Sequence, residues 1–112
     1  MTVDELIVRL GAGAVAFPEV MAVIEECYTF TPTAFNNGSQ YNEANTNNGS
    51  CKIFAFAQMH NLDQQQTLNA FGDYYRVDVL GHPDASDHAN IRNFMVSGWA
   101  GIRFEGAALQ PV

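Results

Sequence analysis

The chain is poor in positive charge. Its 112 residues include 5 Lys or Arg against 12 Asp or Glu, a net charge of −7. Arg9, Lys52, Arg76, Arg92 and Arg103 are scattered rather than grouped. Nucleic-acid phosphates need a basic patch, so this balance argues against DNA or RNA as a partner. It argues equally against anionic membrane surfaces, and it favours solubility. Cysteine is scarce too, with Cys27 and Cys51 alone. They suffice for one disulfide, but no basic segment followed by an apolar stretch opens the chain. Asp4 and Glu5 stand there instead. Free thiols in a reducing cytosol are the expectation. No apolar run nears the roughly 20 residues that a bilayer-spanning helix needs. No phosphate-binding glycine loop follows Gly11 or Gly13. No repeat or linker divides the chain, and its length suits one domain.

Apolar material is not lacking. Hydrophobic residues make up 47% of the chain, and 8 Phe, 4 Tyr and 1 Trp suffice for a core. Acidic disordered chains lack such aromatics. The organising stretch runs from Asn48 to His60. There an Asn-rich loop gives way to an apolar run in which Lys52 and Gln58 are the only plainly polar residues between Cys51 and Met59. An element apolar nearly all round is buried on most sides. Periodicity alone also admits a buried strand. Ala55, Ala57, Gln58 and Met59 favour helix, and Asn48 or Ser50 can cap its start. The expectation is a buried central helix.

Around it the pattern is mainly helical. Thr2, with Glu5 three residues on, forms a capping box for a helix that reaches Leu10 and ends at Gly11 and Gly13. Pro18 opens a second helix carrying Val20, Val23, Ile24 and Cys27, with Glu25 and Glu26 on its solvated edge. Tyr28 to Phe35 reads as extended. Asn37 and Gly38 signal a hairpin turn. Tyr41 to Asn48 is a functional or a flexible loop. Asp63 caps the next helix, with Gln66 in the capping-box place. Leu68, Phe71, Tyr75 and Leu80 trace one apolar stripe, interrupted at Gly72 where another element packs close. Gly81 and Pro83 stop it. Ser86 or Asp87 caps a last helix carrying Ile91, Phe94 and Met95, which Gly98 ends. Ile102 and Phe104 suggest a terminal strand that pairs with the Tyr28 to Phe35 region. The predicted fold is α+β and mainly α. It is a small single-domain helical assembly of about five helices around one buried central helix, with a short β-hairpin or two-stranded sheet.

Three blocks of residues carry a resemblance. The first is Phe30 to Gly38 (FTPTAFNNG). The second is Asn45 together with Asn48 to Ala57 (NGSCKIFAFA). The third combines Thr67, Leu68, Phe71 to Arg76 (FGDYYR), Asp87 to Met95 (DHANIRNFM), Gly98 and Trp99. Together they are similar to the HopJ family of type III effectors, over about the whole chain. The resemblance implies a protein proposed to pass from pathogenic bacteria into plant cells. It carries no catalytic residue over. Relatives in organisms without a plant host imply a rival reading, a resident role in the bacterial cytosol.

Three groups of residues are candidates for chemistry. Cys51 falls in the first turn of the central helix, where the dipole favours a thiolate. His88 can serve it as a base, with Asn90 or Asp87 orienting the ring. The plainer reading of Cys51 is a small buried hydrophobe. His82, Asp84, Asp87 and His88 form the densest ionisable cluster and offer ligands for a divalent metal. Their spacing matches no zinc motif, and turn and capping chemistry explains them as well. Tyr41, Glu43, Asn45, Asn47 and Asn48, with His88, Asn90 and Arg92, can line a polar pocket for a small ligand or a peptide end. The plainer reading is a surface loop using Asn for its tight backbone angles. Arg76 and Arg92 read as internal ion-pair partners, and Trp99 as a packing residue. No cofactor is expected. The leading expectation is a HopJ-type effector that binds a protein or small molecule, a host protein if it is exported. The alternative is a cytosolic enzyme or metal-binding household protein using Cys51 with His88, or His82 with His88. The expected location is the bacterial cytoplasm or, through type III export, a host cell.

Overall fold

The computed structural model describes residues 1–112. Helix α1 (Val3–Ala12) begins at the capping box that its sequence predicts. Thr2 Oγ1 accepts from the Glu5 amide at 3.1 Å, and the Glu5 carboxylate accepts from the Thr2 amide at 3.0 Å. Leu6 and Leu10 form its buried face. Helix α2 (Phe17–Cys27) has Pro18 in its first turn and buries Val20, Val23 and Ile24. It runs directly into β1 (Tyr28–Phe30). Strands β2 (Phe35–Asn37) and β3 (Gln40–Asn42) make the hairpin. Its turn residues are Gly38 and Ser39, one position later than expected, because Asn37 pairs with Gln40 and its side chain is fully buried.

Helix α3 (Asn48–Met59) is the buried centre. Cys51, Ile53, Phe54, Phe56 and Ala57 are inside. The Phe54 ring lies 5.0 Å from Phe94, 5.6 Å from Phe71 and 5.9 Å from Phe35, centroid to centroid. Neither Asn48 nor Ser50 caps this helix. The N-cap is Asn47, in the left-handed region at φ 44, and its amide reaches Asn42 Oδ1 instead. Helix α4 (Gln64–Asn69) has the expected Asp63–Gln66 capping box. The single helix expected to run on through Leu80 breaks at Gly72, which adopts φ +60. The chain resumes as a π-helix over Tyr74–Val79, and Leu80 is half exposed rather than part of the core stripe. Helix α5 (Ala89–Ser97) begins at His88 and not at a Ser86 or Asp87 cap. His88 is left-handed at φ 52, and the Asp87 carboxylate binds Arg92 at 2.7 Å.

A 3-10 turn over Gly98–Gly101 leads to β4 (Ile102–Phe104), and β5 (Leu109–Pro111) closes the chain. Strand β4 pairs antiparallel with β2, Phe104 opposite Phe35, to give a sheet ordered β3-β2-β4. The extended stretch at Tyr28 pairs instead with β5, a strand absent from the sequence reading, with Leu109 opposite Phe30. The architecture is α+β and mainly α. Both cysteines are free thiols. No helix is long and apolar enough to cross a membrane.

Candidate functional site

The starts of α3 and α5 converge on one cleft of about 490 Å³. Gly49 and Ser50 form one side, and His88, Ala89 and Asn90 the other. Phe17 and Tyr74 wall it, packed edge to face with centroids 5.2 Å apart. The Tyr74 ring also meets the His88 ring at 5.2 Å. Gly49 makes room for this wall, since a Cβ there would sit 2.7 Å from Phe17 Cζ and the ring would have to shift. Gly72 serves the same wall from behind. Its bare Cα packs under the backbone of Val15 to Phe17, which sets Phe17 beside Tyr74.

The two helix starts share a geometry. Asn47 and His88 both have left-handed backbones, and neither makes a side-chain cap. A side chain such as His costs about 1–2 kcal/mol in that region whereas Asn visits it readily, so strain is stored at the His88 side of the cleft. The backbone N–H groups of Asn48, Gly49, Ser50, Ala89 and Asn90 donate to no protein acceptor. They are the orphan donors of two helix N-termini, where the dipoles favour negative charge.

An asparagine network holds the two starts together. Asn90 Oδ1 accepts from Asn37 at 3.0 Å and from Asn42 at 3.2 Å. Asn90 Nδ2 donates to Asn42 Oδ1 at 2.9 Å, and Asn47 Nδ2 donates to the same oxygen at 2.8 Å. Asn37, Asn42 and Asn90 are all buried. The β2–β3 hairpin is thereby clamped between α3 and α5. Asn37 Oδ1 is buried without a partner.

His88 is held from outside the cleft. Its Nε2 lies 3.0 Å from Asp78 Oδ2 and 3.8 Å from Asp87 Oδ2. Arg92 bonds both the Asp87 carboxylate and its backbone carbonyl, at 2.7 and 2.6 Å. The Arg92 hydrogen bond keeps the Asp87 carboxyl below the usual range.

The remaining sequence candidates lie elsewhere. Cys51 is 1% exposed, and its Sγ lies against the Thr33 carbonyl at 3.5 Å. Burial pushes its thiol pKa up, and this outweighs the lowering influences of Thr33 and Lys52. The structure does not bring Cys51 and His88 into contact. His82 Nδ1 sits 3.3 Å from the Asp78 carbonyl, and Asp84 is exposed. No group of three or more His, Cys, Asp or Glu is placed to hold a metal ion. Tyr41 donates to Glu105 at 2.8 Å, and that carboxylate pushes the phenol pKa up. Glu43 and Asn45 are exposed, and Asn45 accepts from Asn48 at 3.0 Å. Of the Asn-rich loop, Asn47 alone lines the cleft. The sequence reading passed over Phe17, Tyr74, Gln40 and Asp78 as site residues and took Ser50 as a cap. Gly49 and Gly72 are the signals for the Phe17 wall, for which their missing side chains make room, and Gln40, Asp78 and Ser50 carry no such signal.

The fold and cleft define a small, mainly α domain with a ligand-sized cleft flanked by two helix starts. The family model described as HopJ type III effector protein matches residues 4–109, and the chain belongs to the HopJ type III effector family. The crystal structure of a protein of unknown function, VPA0580, is similar over its length. It is 52% identical with a TM-score of 0.96, covering 100% of this chain and 95% of that one. No curated protein matches.

Proposed function

We propose that this HopJ-family protein acts by binding, and that the cleft between α3 and α5 is where it binds. The ligand is a small molecule or a peptide end. It presents a carbonyl or carboxylate to the free amides of Gly49, Ser50, Ala89 and Asn90, and an apolar part to Phe17 and Tyr74. The observation that carries this reading is the convergence of two uncapped helix starts on one aromatic-walled cleft. Its volume falls within the roughly 300–1,000 Å³ of small-molecule sites. Backbone donors at helix starts capture carboxylates. The nearby Asp87 does not oppose this, because it is paired with Arg92.

Amide spectra of ¹⁵N-labelled protein test it, with N-acetyl-phenylalanine and its uncharged amide as probes at millimolar concentration. The acid is expected to shift the amides of residues 48–50 and 89–91, and the amide to shift them less. Shifts scattered over the surface, or none at all, would overturn the site. Export is tested separately by fusing the chain to a reporter active only inside a eukaryotic cell. Signal from a strain with type III secretion, and none from a strain lacking it, supports an exported effector. Silence in both, with a control effector positive, assigns the cleft to a resident ligand.

A further inference from the structure

We propose that the cleft is also a hydrolytic site for small esters, with Ser50 as nucleophile, His88 as its general base and Asp78 as the carboxylate that positions His88. The assignment rests on the cleft being a ligand site. Four observations meet there. Ser50 and His88 line the same cleft from opposite helix starts. The Ser50 hydroxyl makes no hydrogen bond within the protein, so its proton is not committed elsewhere. His88 is bound through Nε2 to Asp78 at 3.0 Å, which leaves Nδ1 with no protein partner. The amides of Gly49, Ser50, Ala89 and Asn90 are free, which is what the oxyanion of a tetrahedral intermediate requires. A nucleophile and a base lining one cleft, with a third group orienting the base, are the parts of covalent hydrolysis, recognised by roles rather than by chain order. His88 also holds a left-handed backbone, the kind of strain that clusters at functional sites.

The reaction needs only water. Ser50 Oγ and His88 Nδ1 make no hydrogen bond to each other, so one water in the cleft relays the Ser50 proton to Nδ1 as Oγ attacks the ester carbonyl carbon. The carbonyl electron pair moves onto oxygen, where the helix-start amides bind it. Collapse expels the alkoxide, which takes the proton from His88. Water then adds to the acyl-Ser50 ester, giving its proton to His88. The second collapse breaks the acyl–Oγ bond and returns that proton to Ser50. The products are an acid and an alcohol. The acyl part is apolar, since Phe17, Phe71 and Ile91 line the space it enters. Cys51, one residue on, cannot substitute for Ser50, because it is buried against Thr33.

The test treats the full chain with a short-chain alkyl fluorophosphonate, maps adducts by mass spectrometry and follows 4-nitrophenyl butyrate hydrolysis. One adduct at Ser50 is expected. Ser50→Ala removes both the adduct and the turnover. His88→Asn, which tolerates the left-handed backbone, lowers both rates by about 100-fold or more, the usual loss for a general base. Asp78→Asn slows labelling and redistributes the His88 tautomers in long-range ¹H–¹⁵N spectra, and Asp78→Glu restores part of the rate. A folded protein that gains no adduct at Ser50, or labels equally fast as His88→Asn, overturns the assignment. If N-acetyl-phenylalanine still shifts the cleft amides in that protein, the hydrolytic assignment alone fails. If it does not, the binding site fails with it.

Discussion

Replacing Gly72 with alanine sets local preference against tertiary packing. Alanine beats glycine inside a helix by about 1 kcal/mol, and Gly72 lies between two helical segments. Propensity alone therefore predicts a more stable protein. The structure predicts the reverse. Gly72 has φ +60, where a side chain costs about 1–2 kcal/mol. A Cβ there would lie 2.7 Å from the Val15 carbonyl oxygen and 2.9 Å from the Phe17 amide nitrogen. These are backbone atoms of the link between α1 and α2, and the link is tied down. The Val15 amide donates to the Asn69 carbonyl at 3.1 Å, and Asn69 Nδ2 donates to the Leu10 carbonyl at 2.8 Å. Relieving the overlap means loosening such bonds, at about 1 kcal/mol each. The sum is about 2–4 kcal/mol of lost stability. An unfolding entropy of about 2.1 cal/mol/K per residue over 112 residues makes each kcal/mol worth about 4 °C, so Tm should fall by about 8–16 °C. Scanning calorimetry measures this, and a urea titration with an unchanged m-value shows that the loss is in the native state. Gly81→Ala is the control, because nothing lies within 4 Å of a Cβ at Gly81. It should leave Tm unchanged or slightly raised. A Gly72→Ala protein as stable as its parent would refute the packing argument.

Other perturbations test other parts of the account. Iodoacetamide should alkylate half-buried Cys27 before Cys51, whose thiol burial pushes its pKa up, as read by peptide mass spectrometry. Faster reaction at Cys51 would mean that the α3 start opens. Asn90→Ala removes three buried side-chain hydrogen bonds to Asn37 and Asn42 at about 1 kcal/mol each, while Asn37 keeps the Asn90 carbonyl and Asn42 keeps Phe35 and Asn47, so urea denaturation should show a loss of about 2–3 kcal/mol. A loss below about 1 kcal/mol would mean that water replaces the missing amide. Phe54→Ala, at a fully buried ring packed on three other phenylalanines, should cost about 3–5 kcal/mol in the same assay. The Glu5 carboxyl is held below its ordinary 4.5 by the hydrogen bond from the Thr2 amide, and the Asp87 carboxyl below its ordinary 3.8 by Arg92. Each stabilises the fold when ionised, so each contribution is present above those values and lost as pH falls through the lowered folded-state values. Tm should therefore decline on acidification below the ordinary carboxyl range, and less steeply in a Glu5→Gln, Asp87→Asn variant. An equally steep decline in that variant would remove these two groups from the acid response.

Local chemistry was readable without a structure wherever all its partners lie within one turn of chain. The capping boxes at Thr2–Glu5 and Asp63–Gln66 are of this kind, because the donor, the acceptor and the helix start they serve span four residues. Burial of Phe54, Phe56 and Ala57 followed from an apolar run with almost no polar side, and Pro18 marked its helix start for equally local reasons. The HopJ family, too, was legible in the blocks from Phe30 to Gly38 and Asn48 to Ala57, and the match over residues 4–109 bears it out. The cleft was not legible, because its parts are separated by long stretches of chain. Asn90 bonds Asn37 and Asn42, 53 and 48 residues away, and no residue pattern near Asn90 announces those partners. Phe17 and Tyr74 sit in patterns that read as helix and core, and only the approach of Gly72 to the Val15–Phe17 backbone turns them into a wall. The left-handed starts at Asn47 and His88 likewise override the local preference for Ser50 or Asp87 as caps. Capping is worth about 1 kcal/mol, and a buried amide network that requires another backbone path outweighs it. The sequence by itself therefore determined the helices, their burial and the family. Where the chain breaks, which strands pair and which side chains share the cleft were decided by tertiary packing, since contacts between distant residues acquire an energy only once the fold has brought them together.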